Sequence, residues 1–402
     1  MRTRHLAVAG ASALALVATT APAGSATQIA DTSSQASAEQ GQSLAARAAP
    51  SLRVRTVVKG VDVPWDLTFL GNGAMLYTER DRERITYRGP NGARTVVANT
   101  PAGVWHEGET GMMSILAARN FKRSRLFYTC YGGILNGQHD VRVVQWRVHA
   151  NSDGARRVRV LVKGLPSTTG RHGGCRLRFG DGGALFIGTG DAATGTNPQN
   201  LRSGGGKVLR VDPGTGRGLR TNPFAGADSA MKRRVFTYGH RNVQGLALRR
   251  DGSMWSVEHG TYRDDEVNRL RSGGNYGWNP VPGYNETRPM TDFSLPGKQI
   301  GARWRSGNPT IATSGAVWLR GNRWGAWRGC LAVAALKDSS VRIMKFDGSG
   351  RFVRMWTPAA LNGDYGRLRS VVMGPRNALY VTTSNGGGGA GGDRILRVTP
   401  TS

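Results

Sequence analysis

One phrase recurs four times in this chain and constrains its fold more than any other feature. Each copy is a turn containing Gly, Asn or Asp, followed by a strand-like run that opens with an aromatic residue. The aromatic residues are Tyr77, Phe186, Trp255 and Tyr380, which lie 109, 69 and 125 positions apart. These intervals are roughly multiples of 55 to 69 residues, a period typical of one four-stranded propeller blade with loop insertions.

Residues 52–402 contain short apolar or alternating runs separated by clusters of Gly, Asn and Asp, while helical periodicity is scarce. This pattern is typical of many short antiparallel strands. At about 58 residues a blade, the region holds about six blades. We therefore predict an all-β fold, a single six-bladed β-propeller with one functional site at an end of its central channel. A β-sandwich pair is the rival architecture, which explains the alternation but not the recurrence of the phrase.

The first residues have the order of a secretory signal. Arg2 and Arg4 precede an apolar run over residues 6–20, and small residues follow. We therefore expect residues 1–26 to be a signal peptide and residues 27–51, rich in Ser, Ala and Gln, to be a low-complexity linker. No later segment reaches the roughly 18 apolar residues that a membrane span needs. The sequence thus predicts a secreted, extracellular protein with no membrane span.

The chain is strongly positive: it has 55 Lys and Arg residues and 26 Asp and Glu residues, which gives a net charge of +29. The Arg residues are scattered over the whole chain rather than concentrated on one element with a motif that reads bases. We therefore expect no nucleic-acid partner, although attraction to anionic substrates or surfaces remains open.

Cysteine is scarce. Cys130, Cys175 and Cys330 form no CxxC pair, so the sequence gives no cysteine support to a structural zinc site. Three cysteines allow at most one intramolecular disulfide and leave one thiol over. The spacing alone does not identify the pair.

The sequence lacks the signature motifs of several common enzyme classes, namely GxSxG, HExxH, Walker-type and dinucleotide Gly motifs. Three phrases could nevertheless carry chemistry. His172 lies in a Gly-rich approach to a strand, residues 239–245 place one cation and two amides in a turn, and residues 258–266 end in a run of acidic residues.

These phrases belong to a longer series along the chain. Its further members are Val63-Pro64-Trp65-Asp66-Leu67, Gly108-Glu109-Thr110-Gly111-Met112-Met113, Gly188-Thr189-Gly190-Asp191, Lys207-Val208-Leu209-Arg210-Val211-Asp212, Ser314-Gly315, Ala335-Leu336-Lys337 and Gly366-Arg367-Leu368-Arg369. In this order they resemble the soluble pyrroloquinoline quinone (PQQ)-dependent sugar dehydrogenases, the glucose/sorbosone dehydrogenase family. The resemblance implies a six-bladed β-propeller, PQQ, Ca²⁺ and oxidation of an aldose at C1 to the lactone. Because the chain has no CxxCH haem motif, the electron acceptor would be a separate molecule.

The resemblance also implies roles for individual residues. His172 matches the general base, and Arg241 matches a catalytic cation that also contacts the cofactor. The remaining cofactor-contacting matches are Asn242, Lys337, Arg367 and Arg369. Arg suits the carboxylates of PQQ, because its planar fork binds them in bidentate fashion. Glu109 matches a residue at the sugar-facing mouth of the site.

For the metal, the resemblance implies backbone carbonyl ligands from Gly260 and Thr261, where relatives carry Gly-Pro. Glu266 and Tyr276 match further Ca²⁺ positions of the family, the tyrosine through its carbonyl. Calcium would act there as a Lewis acid and neutralise part of the cofactor's charge.

Three positions depart from the family pattern, namely Arg171, Thr261 and Ser370. They keep open a second function, a secreted propeller that binds carbohydrate or protein without PQQ. A third is a propeller lactonase or other hydrolase that uses Ca²⁺. Retention of Lys337, Arg367 and Arg369 argues against the hydrolase, because hydrolysis has no tricarboxylate to hold.

Overall fold

The structure, a computed structural model, describes residues 48–386 and 391–401, and within them six four-stranded antiparallel sheets form a ring. The predicted six-bladed β-propeller is thereby confirmed, and the β-sandwich pair is wrong. The predicted signal peptide, and the predicted linker up to residue 47, lie outside the described residues.

The first three blades each use four consecutive strands. In chain order they are β2 (Pro64–Phe69), β3 (Met75–Glu79), β4 (Arg84–Arg88) and β5 (Arg94–Asn99); β6 (Met112–Ala117), β7 (Leu126–Leu135), β8 (Gln138–Val148) and β9 (Ala155–Pro166); and β10 (Gly174–Phe179), β11 (Leu185–Thr189), β12 (Lys207–Val211) and β13 (Val235–Tyr238).

The fourth and fifth blades follow the same plan. Their strands are β14 (Val243–Leu248), β15 (Met254–Glu258), β16 (Glu266–Arg269) and β17 (Trp304–Arg305), then β18 (Thr313–Trp318), β19 (Leu331–Ala335), β20 (Ser340–Phe346) and β21 (Phe352–Trp356).

The sixth blade is built from both ends of the described chain. It contains β22 (Leu368–Met373), β23 (Leu379–Thr383), β24 (Asp393–Pro400) and, at its edge, β1 (Leu52–Val61). Strand β1 pairs antiparallel with β24 from Leu52 opposite Pro400 to Val61 opposite Asp393. This pairing joins the two ends of the described chain in one blade and closes the ring.

The recurring aromatic phrase marks the second strand of a blade in each of its four copies. Before the aromatic residue, Gly73, Gly183, Gly252 and Asn377 have φ values of 87°, 83°, 81° and 55°. Glycine and asparagine tolerate this left-handed conformation, which explains their recurrence in the turn. The aromatic side chains then pack into the blade and are at most 9% exposed.

The first strand of each blade lies innermost, since β2, β6, β10, β14, β18 and β22 contact one another around the ring. Because neighbouring strands are antiparallel, the start of each inner strand and the end of the second strand lie at the same end of the channel. Residues just before an inner strand, or just after a second strand, therefore meet at this end, which we call the upper rim.

The described residues include few helices. Two short α-helices, α1 (Phe121–Ser124) and α2 (Ala230–Arg234), and three 3₁₀ turns, Asn322–Trp327, Ala359–Leu361 and Pro375–Asn377, lie between strands. Across the described ranges, no helix is long and apolar enough to cross a membrane.

The cysteine pair that the sequence left open is Cys130 with Cys175. Cys130 lies on β7 and Cys175 on β10, so the disulfide joins the second and third blades. Cys330 is a buried free thiol.

Candidate functional site

The upper rim collects most of the residues that the sequence analysis selected. Those just before or at the start of an inner strand are Glu109 before β6, His172 before β10, Arg241 and Asn242 before β14, and Arg367 and Arg369 at the start of β22. Lys337 follows the second strand β19, and Gly260 and Thr261 follow the second strand β15. The strand order of the propeller thus brings together residues that are far apart in sequence.

His172 is buried and oriented by a carboxylate. Its Nδ1 atom lies 2.8 Å from Oδ1 of Asp191, which follows the partner strand β11. A carboxylate oxygen accepts, so Nδ1 carries a proton, and in the neutral imidazole the lone pair is on Nε2. The imidazole is therefore in the tautomer that a proton acceptor needs.

Close backbone packing holds this pair. His172 has a left-handed backbone, with φ of 54°. A Cβ on Gly190 would lie 1.8 Å from the carbonyl oxygen of His172, so only glycine fits beside it.

Asp191 is itself fixed by four donors. Its Oδ1 accepts from His172 and from the backbone N–H of Ala193, and its Oδ2 accepts from Trp278 Nε1 and the Tyr284 hydroxyl, each at 2.8 Å. Burial raises the pKa of Tyr284, so its hydroxyl remains a donor. The Tyr284 oxygen also lies 3.0 Å from His172 Nδ1.

Glu109 and Asn242 form one hydrogen-bonded pair. Asn242 Nδ2 donates to Glu109 Oε2 at 2.8 Å, and Asn242 Oδ1 accepts from the backbone N–H of Gly174. Burial raises the pKa of Glu109, but the charges of His172 and His259 and other neighbours outweigh it, so the net shift is downward. An ionised carboxylate next to the base can accept hydrogen bonds from sugar hydroxyls.

Arg241 is buried and engaged on two sides. Its Nη2 donates to Glu286 Oε1 at 2.6 Å, and its Nη1 donates to the carbonyl oxygen of His259 at 3.4 Å. The buried Nε–H of Arg241 and the buried Nε2 of His259 have no hydrogen-bond partner among the described residues. Buried polar atoms of this kind cost free energy unless a ligand satisfies them.

Arg369 is a buried cation with neutral partners. Its guanidinium donates to Gln244 Oε1 and Ser384 Oγ, both at 3.2 Å, and lies over the ring of Trp65. Burial, together with the nearby charges of Arg80 and other arginines, lowers the pKa of Arg369 to about 9. A bound anion would relieve this unfavourable concentration of positive charge.

Lys337 and Arg367 are exposed. Their backbone groups are hydrogen-bonded: Lys337 N–H donates to Ile311 O, and Arg367 N–H donates to Asn385 Oδ1. Arg367 lies close enough to Arg369 to lower its pKa. The upper rim therefore presents several cations to one region.

The loop that carries Gly260 and Thr261 folds tightly around Asp265. Gly260 N–H donates to Asp265 Oδ1 at 2.9 Å, and Ile311 N–H donates to Oδ2 at 2.7 Å. In the part of the chain that the structure describes, no group of three or more His, Cys, Asp or Glu side chains is arranged to hold a metal. The prediction for Gly260 and Thr261 concerns backbone carbonyls and stays a prediction.

Glu266 and Tyr276 lie within the fourth blade. Burial and the neighbouring Glu258 raise the pKa of Glu266 to about 8, and the Glu266 carboxylate contacts Arg305 at 3.3 Å. The Tyr276 hydroxyl donates to the carbonyl of Arg269 at 2.7 Å. Both side chains thus have partners inside the blade, and their role as calcium positions stays a prediction.

The sequence analysis missed three residues of this site. Asp191 lies in a phrase that it quoted, Gly188-Thr189-Gly190-Asp191, but it received no role. Tyr284 and Glu286 lie in the irregular segment between β16 and β17, which carries no periodic signal. Only the fold places these two next to His172 and Arg241.

Comparisons with known proteins find similarity along most of the chain. Residues 61–397 match the family model described as Glucose / Sorbosone dehydrogenase. The chain is 29% identical over 366 residues to an aldose sugar dehydrogenase of Escherichia coli (strain K12), covering 88% of this chain and 94% of that protein.

Solved structures are similar along the same range. The PQQ-bound aldose sugar dehydrogenase of Streptomyces coelicolor is 28% identical, with a TM-score of 0.74 over 88% of this chain and 99% of that one. The apo form of the soluble aldose sugar dehydrogenase of Escherichia coli is 26% identical, with a TM-score of 0.77 over 87% of this chain and 100% of that one.

Proposed function

The chain belongs to the glucose/sorbosone dehydrogenase family and is an oxidoreductase of the sugar dehydrogenase type, and from this premise we propose that it oxidises an aldose at C1 to the lactone, using PQQ and Ca²⁺, outside the cell. The observation that carries the proposal is the buried His172–Asp191 pair beside a cluster of cations. The electrons leave through a separate acceptor.

The residues of the upper rim fit PQQ, a planar quinone with three carboxylates. The exposed cations Lys337 and Arg367, and the buried Arg369, would hold the carboxylates. The unpartnered Nε–H of Arg241 and Nε2 of His259 are the buried polar atoms that such a group would satisfy. When bound, PQQ supplies the hydride acceptor, which no amino-acid side chain can provide.

The protein's own residues accept the proton and orient the sugar. His172 Nε2 takes the proton of the C1 hydroxyl, and Asp191 stabilises the resulting imidazolium through Nδ1. The Glu109 carboxylate, held by Asn242, accepts hydrogen bonds from neighbouring sugar hydroxyls and so orients C1. Loss of the hydroxyl proton makes departure of the C1 hydride favourable.

Calcium would be held through the carbonyl oxygens of Gly260 and Thr261 and would supply Lewis acidity. The hydrogen bonds from Gly260 and Ile311 to Asp265 support this assignment, because they fix the loop without using a proline. A carbonyl ligand does not depend on the side chain, so Thr261 can take the place of proline.

Two features support secretion. Residues 1–26 have the order of a secretory signal. The Cys130–Cys175 disulfide suits an oxidising compartment, since disulfides are rare where thiols are kept reduced.

A propeller that binds ligands without PQQ is the second candidate, and Arg171 beside the base is the feature that favours it. Ser370, which also departs from the family pattern, supports this second candidate less. Ser370 Oγ accepts from Arg176 Nη1 at 2.8 Å and donates to Asp66 Oδ1 at 3.0 Å, so the serine completes a buried polar network.

The test is reconstitution. Purified protein is mixed with PQQ and Ca²⁺, and dye reduction is followed across a panel of aldoses. Turnover of at least one aldose, lost in H172A, supports the dehydrogenase. Absence of turnover with every aldose would contradict the dehydrogenase and favour the propeller that binds ligands without PQQ.

A further inference from the structure

A single carboxylate oxygen joins two guanidinium groups at the mouth of the site. Glu286 Oε1 accepts from Arg171 Nη2 at 2.7 Å and from Arg241 Nη2 at 2.6 Å. Arg171 precedes the base His172 in the chain, whereas Arg241 precedes β14 and Glu286 lies between β16 and β17. The bridge therefore joins three separate segments around the base.

The segment that carries Glu286 is fixed at the site by a second contact. Two residues earlier, the Tyr284 hydroxyl donates to Asp191 Oδ2 at 2.8 Å and lies 3.0 Å from His172 Nδ1. The position of the Glu286 carboxylate is thus set relative to the base. The Glu286 carboxylate itself is held by its hydrogen bonds to Arg171 and Arg241.

The bridge lowers the positive charge that a substrate meets. The Arg171 and Glu286 side chains are 45% and 38% exposed, whereas Arg241 is 5% exposed. Burial raises the pKa of Glu286, but its hydrogen bonds to Arg171 and Arg241 outweigh this and lower it, so the carboxylate stays ionised. Glu109, which also interacts with His172, adds a second negative charge.

We infer that Glu286 is a specificity-determining residue that makes the site select uncharged aldoses over aldoses bearing a carboxylate or phosphate. Without Glu286, the exposed guanidinium of Arg171 would be free to bind such an anion in bidentate fashion. With Glu286, Arg171 is already neutralised, and the two carboxylates repel a further negative charge. The inference rests on the proposed function for its substrate class.

The test compares two sugars of equal ring size, glucose and glucuronate, in the full chain loaded with PQQ and Ca²⁺. The variant is E286Q, which removes the charge and keeps the size. We expect the ratio of kcat/KM for glucose to that for glucuronate to fall by about tenfold, the effect of one charge interaction at the distance of a sugar ring. A ratio is insensitive to a general loss of active protein.

Two controls separate charge from folding. D228N removes an exposed ion pair with Arg202, also 2.7 Å long, and should leave the ratio unchanged. E286Q/R171Q also removes the Arg171 guanidinium that E286Q leaves without its ion pair. This double variant should restore at least most of the preference for glucose. High salt should shrink the difference between wild type and E286Q.

Direct binding provides a readout that does not need turnover. Calorimetric titration with glucuronate should give at least about fivefold tighter binding to E286Q than to the wild type. If the wild type oxidises aldoses but E286Q changes neither the ratio nor glucuronate binding, the inference is wrong and the proposed function stands. If the wild type oxidises no aldose but E286Q still gains glucuronate affinity, the dehydrogenase proposal fails and the charge selection by Glu286 survives.

Discussion

The Nδ1 atom of His172 lies 2.8 Å from Oδ1 of Asp191, and one β-hairpin sets that distance. His172 precedes β10 and Asp191 follows β11, and these strands pair Gly174 with Thr189. The proposed base and its orienting carboxylate are thus held by strand pairing in the third blade rather than by a mobile loop. Catalytic geometry built on strands in this way is well defined.

Replacing either member of the pair should reduce turnover through the proton step. H172A removes the acceptor, and we expect kcat to fall by about 10²- to 10⁴-fold. D191N keeps the shape but cannot stabilise the imidazolium, so kcat should fall by about 10²-fold. PQQ affinity, measured by fluorescence quenching, should change little in both variants. D181N alters an exposed turn and serves as the control; wild-type turnover in H172A would show that another group is the base.

The cation cluster should act mainly on cofactor affinity. K337A and R367A each remove an exposed positive charge at the upper rim, and we expect each to weaken PQQ binding by about 5- to 20-fold. The loss should be larger at low salt than at high salt, because screening weakens the interaction in the wild type. R351A removes an arginine that is 83% exposed in the turn between β20 and β21 and is the matched control. Equal PQQ affinity in K337A/R367A and R351A would contradict the carboxylate assignment.

The sequence predicts the propeller well because its signals are local. In the four blades that carry the recurring phrase, the left-handed turn residue before the second strand is Gly or Asn, and this preference recurs with the phrase. Residues at the start of inner strands, such as His172, Arg241 and Arg369, could also be placed together, because the topology brings those strand ends to one rim.

Other parts of the site depend on contacts that no local pattern carries. Tyr284 and Glu286 reach the base from an irregular segment whose course follows from tertiary hydrogen bonds. Residues two apart on a strand share a face, but β22 begins at Leu368, so Arg367 is exposed while Arg369 is buried. The disulfide pairing also required the fold, because only the adjacency of β7 and β10 identifies it.

The buried Glu266 should make stability depend on pH. In the folded protein its pKa is raised to about 8 by burial and by Glu258, against an ordinary value of 4.5. Between these values the folded state binds more protons than the unfolded state, so the free energy of unfolding falls as pH rises. The slope is at most about 1.4 kcal/mol per pH unit, and it ends above about pH 8.

Urea titrations from pH 5 to pH 9 with a calcium chelator present would measure this slope. E266Q cannot titrate, so its profile should be flatter than that of the wild type, and the two should differ most in slope between pH 5 and pH 8. If Glu266 also binds calcium, adding Ca²⁺ below pH 8 should release about one proton from the wild type and fewer from E266Q. Parallel profiles would mean that Glu266 is already ionised in the folded protein.

The disulfide between the second and third blades should contribute strongly to stability. Cys130 and Cys175 close a loop with a sequence separation of 45, and the loop-entropy relation gives about 4 kcal/mol for a loop of this length. Because Cys175 lies three residues after His172, the bond also restrains the strand that follows the base. C130A/C175A should therefore unfold at lower urea concentration and should lose kcat before it loses PQQ affinity.

The free thiol provides the matched control for that experiment. Cys330 is buried in the fifth blade and forms no disulfide, so C330A removes one sulfur without opening a loop and should cost about 1 kcal/mol. A reductant should lower the stability of the wild type and of C330A by the same amount, and it should leave C130A/C175A unchanged. Loss of the reductant effect in C330A would mean that the stabilising bond involves Cys330 instead of joining β7 and β10.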